Sequence, residues 1–157
     1  MPGPVHLLLL ILTIILQVQV APLFSVKSAT PDFLLILVLA ITFQKGRLWG
    51  IGAAFSVGLI FDVFGTGIIG LSSLAKSVST YIAGFFASER LERRFGAVSG
   101  LLMGVLLLHD SLYYLVLNVG TQMSFWSVFF KHVIPSSIYT FSFLIMLHLV
   151  RPRALWG

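Results

Sequence analysis

The chain contains no cysteine. That excludes disulfide staples, thiolate nucleophiles and cysteine-ligated metal. Charge is almost as scarce: 10% of the 157 residues are charged, and only five are acidic. Soluble domains carry about 25% charged residues, so this chain cannot cover a water-facing surface. Residues 1–26 hold neither Lys nor Arg, so the basic leader of a cleaved signal peptide is missing. The first apolar run is therefore expected to stay as a membrane helix. Gly-x-Ser-x-Gly, a phosphate-binding glycine loop, His-Glu-x-x-His and paired acidic motifs are all missing. Links between apolar segments are too short to house catalytic machinery. No enzyme activity, cofactor or metal is expected.

What the chain does have is apolar length. Hydrophobic residues make up 58%, with a mean hydropathy of +1.03. The runs are long and unbroken rather than alternating, which indicates helices and not barrel strands. The expectation is an all-α integral membrane protein, one transmembrane domain over residues 1–157. Six helices are placed at about 5–20, 30–45, 48–64, 71–87, 97–118 and 127–150. The apolar stretch of the second is only thirteen residues long, 32–44. At 1.5 Å per residue these cover about 20 Å of a roughly 30 Å hydrocarbon core. It is either a short span or a re-entrant segment.

The net charge of +5 does not point to nucleic acid, because the basic residues sit in small clusters between apolar runs. They read as orientation signals facing anionic lipid. Lys45 and Arg47 flank one turn, Arg90, Arg93 and Arg94 fill another, and Arg151 and Arg153 lie near the end. With six spans these share the cytoplasmic side with both termini, leaving Lys27 and Lys131 opposite. A five-span arrangement with the N-terminus outside also fits. Charge fixes the C-terminal side and leaves the N-terminal side open.

Inside the third segment, Gly50, Ala54, Gly58 and Asp62 recur every four residues. That spacing makes one helix face, where small residues admit a close helix neighbour. Asp62 continues the face and should point at protein. A glycine-rich turn follows, then Lys76. Asp62 is expected to pair with Lys76, or to use Ser72, Ser73 and the loop amides. It is either a structural pin for the hairpin or a polar docking site. His109 and Asp110 are neighbours on the fifth segment. About 100° apart on a helix, they should not share one inward direction, which argues for structural polar contacts and against a metal site. Gly96, Gly100 and Gly104 form a second small-residue face, expected to be a packing seam.

The stretch PDFLLILVLAITFQKGRLWGIGAAFSVGLIFDVFGTGIIGLSSL resembles the central signature of the MreD family of rod shape-determining proteins. That signature has a Pro-led apolar helix, a glycine-rich helix ending in Gly-x-x-x-Asp, and a glycine turn. Pro31, Gly50, Gly58, Asp62, Gly67 and Gly70 match it here. Lys76, His109 and Asp110 are not part of the matched pattern. The resemblance implies a non-catalytic scaffold of the bacterial cell-elongation machinery in the inner membrane. It implies association with MreC, and through it with MreB and the peptidoglycan synthases. The family in turn resembles, in fold, the substrate-binding subunits of energy-coupling-factor vitamin transporters. A small solute-binding transporter subunit is therefore the alternative expectation.

Overall fold

The computed structural model describes residues 4–26, 29–65, 68–88 and 95–150. Gly67, Lys27, Glu89, the basic cluster at 90–94 and Arg151 and Arg153 lie outside the described residues. Six helices account for nearly all of the rest: α1 (Pro4–Ile15), α2 (Phe33–Lys45), α3 (Arg47–Phe64), α4 (Leu71–Ser88), α5 (Phe95–Leu117) and α6, which begins at Phe125–Val128 and resumes as Ile134–Val150. Among the described residues there are no strands, only one isolated bridge between Val26 and Ala29.

Two helices change pitch, each near a proline. α1 continues through a π turn at Leu16–Val20 and a 3₁₀ turn at Ala21–Phe24 that contains Pro22. α6 is widened at Phe129–Val133, where the Ile134 N–H reaches the Phe129 carbonyl. Pro135 follows, and its missing N–H cannot continue the regular ladder. A π turn absorbs that defect without breaking the helix axis.

α2 explains its own shortness. Leu34, Leu35, Ile36, Val38, Leu39 and Thr42 are all buried, and the helix packs against α1, α3, α4 and α6. A helix sheathed by protein need not match the thickness of lipid, because its surroundings satisfy its ends. Asp32 caps its start, accepting from the Leu35 N–H at 2.8 Å. Its other end turns directly into α3 through Gly46, whose φ of +93° favours a residue without Cβ. One residue between helices makes α2 and α3 adjacent.

By length and composition, Arg47–Phe64, Gly96–Leu117 and Phe125–Leu147 are apolar enough to cross a membrane. α4 is different. It carries Ser72, Ser73, Lys76, Ser79 and Thr80, all buried. The polar face of α4 lies inside, against α2, α3 and α5, while Leu74, Tyr81 and Phe85 on its other face remain exposed, as do Leu48 and Phe64 of α3. The apolar core joins Leu35 and Leu39 of α2, Ala83 of α4, Leu102, Val105 and Leu106 of α5 and Leu144 of α6.

Candidate functional site

The Gly50–Ala54–Gly58 face is an internal seam. Gly50, Ala54, Gly58 and Asp62 are all buried. A Cβ on Gly50 would stand 2.8 Å from Thr42 Cβ and 2.9 Å from Thr80 Cγ2. One on Gly58 would stand 2.6 Å from the Ser73 backbone nitrogen. The missing side chain at Gly58 lets α3 and the first turn of α4 meet backbone to backbone, and Ser73 Oγ donates to the Phe55 carbonyl at 3.1 Å. The seam therefore belongs to α2, α3 and α4, leaving no room there for a helix of another protein.

One turn beyond Gly58, the Asp62 carboxylate reaches the start of α4. It accepts from the N–H groups of Gly70 (2.9 Å), Ser72 (3.2 Å) and Ser73 (3.2 Å). First-turn N–H groups have no partner within their own helix, and an anion there also meets the positive end of the helix dipole. Gly70 adopts φ +92°, which allows the chain to enter α4 under the carboxylate. Of the two options read from the sequence for Asp62, the structure takes the hairpin amides. The spacing Gly-x-x-x-Asp thus has a mechanical meaning: glycine brings the next helix close and aspartate, one turn later, caps it.

Lys76 turns to a residue that the sequence reading did not single out. Its ammonium donates to Asp32 Oδ2 at 2.5 Å, with the lysine side chain 2% exposed and the aspartate 16%. It also lies 3.4 Å from Ser72 Oγ, 3.5 Å from His109 Nε2 and 5.7 Å from the centre of the Phe61 ring. Asp62 and Lys76 are near neighbours in sequence yet serve different partners.

The expectation that His109 and Asp110 would diverge needs correcting. Both are buried, and His109 Nδ1 stands 3.0 Å from Asp110 Oδ1. α5 lies between α4 and α6. The step of about 100° between adjacent residues therefore sends His109 towards Lys76 and Asp110 towards Ser137, whose hydroxyl donates to Asp110 Oδ2 at 2.6 Å. The result is a continuous polar chain, Asp32–Lys76–His109–Asp110–Ser137, crossing α2, α4, α5 and α6. The expected packing seam at the second small-residue face is also corrected. Cβ atoms added at Gly96, Gly100 or Gly104 would meet nothing within 4 Å, so this face packs on no part of the described chain.

Beside the polar chain lies a cavity of about 60 Å³. Asp32, Lys76, His109 and Asp110 open onto it, with Tyr113 and Tyr114. Gln17 closes one side from the π turn of α1: it donates to the Pro31 carbonyl at 3.1 Å and accepts from the Phe33 N–H at 2.7 Å. The amides Gln17 and Gln19 inside a largely aliphatic run were the available sign of a polar contact there, and Asp32 beside Pro31 was the sign of a charge at the start of α2. Among the described residues no group of three or more His, Asp or Glu side chains converges as a metal centre.

No curated protein matches the chain. No solved structure matches it either. A family match, in contrast, runs from residue 3 to residue 151, to the family described as rod shape-determining protein MreD. It takes in every feature above: the α3–α4 seam, the Asp62 cap and the four-helix polar chain. The chain belongs to the MreD family of rod shape-determining membrane proteins.

Proposed function

We propose that this protein acts as a non-catalytic scaffold of the elongation machinery in the bacterial inner membrane. It binds MreC directly and, through it, sits in one complex with MreB and the peptidoglycan synthases. Membership of a shape-determining family gives the role in rod shape; the partners are the finer part of the reading. All six helices cross the bilayer in this proposal, with the C-terminus in the cytoplasm and, in the six-span arrangement, the N-terminus beside it.

The observation that carries the reading is how the interior is used. Its ionisable groups hold helices to one another, and the cavity beside them measures about 60 Å³. Sites for small organic ligands run to about 300–1,000 Å³. A vitamin-sized solute does not fit, which weighs against the transporter-subunit alternative. Because the Gly58 seam is filled by α4, MreC is expected on the lipid-facing surface instead.

The test is complementation with purification. Cells depleted of their own MreD should regain rod shape when this chain is expressed, and a tagged copy should bring MreC out of solubilised membranes. Round cells despite normal protein levels, together with a preparation free of MreC, would refute the proposal.

A further inference from the structure

α2 begins well inside the bundle. Its cap, Asp32, pairs with Lys76 of α4 and lies 3.7 Å from His109 of α5. The Asp32 N–H donates to Thr140 Oγ1 of α6 at 3.2 Å. His109 and Thr140 therefore mark the level at which α2 starts. α5 runs on past His109 to Leu117, about 12 Å further. α6 begins at Phe125, about 20 Å beyond the level of Thr140. In the other direction α2 ends at Lys45 after 13 residues, about 20 Å away. The start of α2 thus lies below a wall made by α5 and α6, which leaves a recess roughly 12 Å deep against α5.

The polar cavity is at the bottom of that wall, bordered by Thr30, Asp32, Tyr113, Tyr114 and Ser136. Three observations decide what fills the recess. The Asp32 side chain is 16% exposed, at a level where α5 and α6 are apolar enough to span a membrane. A carboxylate turned to acyl chains there is costly; turned to water it is not. Lys76 has three N–H donors. One meets Asp32, and the others have only Ser72 Oγ at 3.4 Å and His109 Nε2 at 3.5 Å, long for hydrogen bonds. Water satisfies such donors. Thr30 and Pro31 are non-helical, and irregular backbone at membrane depth is tolerated where protein buries it or where it lines a water-filled cavity.

We propose that the cavity is the floor of a water-filled recess, open at the bundle end opposite Lys45 and Arg47, that brings extracytoplasmic water down to the four-helix polar chain. A volume of about 60 Å³ has room for roughly four waters at 10–15 Å³ each. α2 completes its crossing at this floor, which is why about 20 Å of helix suffices. The word extracytoplasmic rests on the orientation proposed above. The opening itself depends neither on that orientation nor on MreC.

Water-edited solid-state NMR on the full-length protein in lipid bilayers reads contact with mobile water. Magnetisation should build up at Thr30 and Asp32 as fast as at Thr121, in the exposed link before α6. It should be several-fold slower at Ile60, which is next to Phe61 of the cavity lining but exposed on the outside of α3. The chain has no cysteine, so Thr30→Cys and Ile60→Cys each introduce a single thiol. In lipid nanodiscs both membrane faces are reachable, which removes orientation from the test. A charged methanethiosulfonate should modify Thr30→Cys about tenfold faster than Ile60→Cys, because the reacting thiolate needs water. Build-up at Asp32 and Thr30 no faster than at Ile60 would overturn the proposal in the wild type, whatever the variants do. Water contact without labelling of a folded Thr30→Cys would mean a sealed pool and would overturn the opening. A preparation free of MreC would change neither readout.

Discussion

Asp32 and Lys76 are separated by 44 residues of chain and joined by a 2.5 Å contact, which makes their coupling measurable. Lys76→Met keeps the length of the side chain and removes the ammonium. It leaves Asp32 with its α2 cap bond but without its counter-ion. Asp32→Ala strands the ammonium, 2% exposed, and also removes the cap on Leu35. Breaking one side of a buried pair costs about 3–5 kcal/mol. Asp32 is 16% exposed, so the low end applies, about 3 kcal/mol for Lys76→Met. Asp32→Ala adds the lost cap, about 1 kcal/mol, for roughly 4. The double variant has no stranded charge and should lose little beyond the cap, about 1 kcal/mol. The expected coupling is therefore about 6 kcal/mol less than additivity in total loss. Reversible denaturation of detergent-solubilised protein measures all four corners of the cycle. A parallel cycle between Asp62 and Lys76 should be additive to about 0.5 kcal/mol. Additivity for Asp32 and Lys76, or strong coupling for Asp62 and Lys76, would refute the pairing.

Gly58→Leu places four carbons where the Ser73 nitrogen already stands 2.6 Å from a Cβ; it should exceed the usual 1–3 kcal/mol of overpacking and show as degraded protein on membrane immunoblots. Gly104→Leu faces open space and should leave monomer stability within about 0.5 kcal/mol in the same detergent assay. Asp62→Ala should cost about 1–3 kcal/mol, because buried N–H groups lose their acceptor, and should speed amide exchange at Ser72 and Ser73. A reporter active only in the cytoplasm, fused after Gly157, should be active; activity of a periplasmic-type reporter there would reverse the proposed orientation.

The helical architecture was legible because apolar length and glycine spacing are local signals. Gly50, Ala54 and Gly58 announced a close helix neighbour, and the structure supplies two, α2 at Gly50 and α4 at Gly50 and Gly58. What the spacing did not reveal is that these neighbours lie in the same chain. The partner of Lys76 was misjudged for a related reason. Asp62 is closer in sequence, but Asp32 begins a helix that tertiary packing lays beside α4. Simple counting would have narrowed the choice. Five acidic residues exist, and two of them, Glu89 and Glu92, stand among arginines. Only Asp32, Asp62 and Asp110 remained for a lysine inside the bundle. His109 and Asp110 were judged by the angle between them, which is correct for a helix with one packed side. α5 has two packed sides, and the same angle serves both.

A helix ordinarily carries its own N-terminal cap, a residue or two ahead of its first turn. α4 borrows its cap from Asp62, which belongs to the last turn of α3. The first turn of α4 therefore has its acceptor only while α3 is formed and Gly58 admits it. These two helices form one cooperative unit, opening and closing together rather than fraying separately.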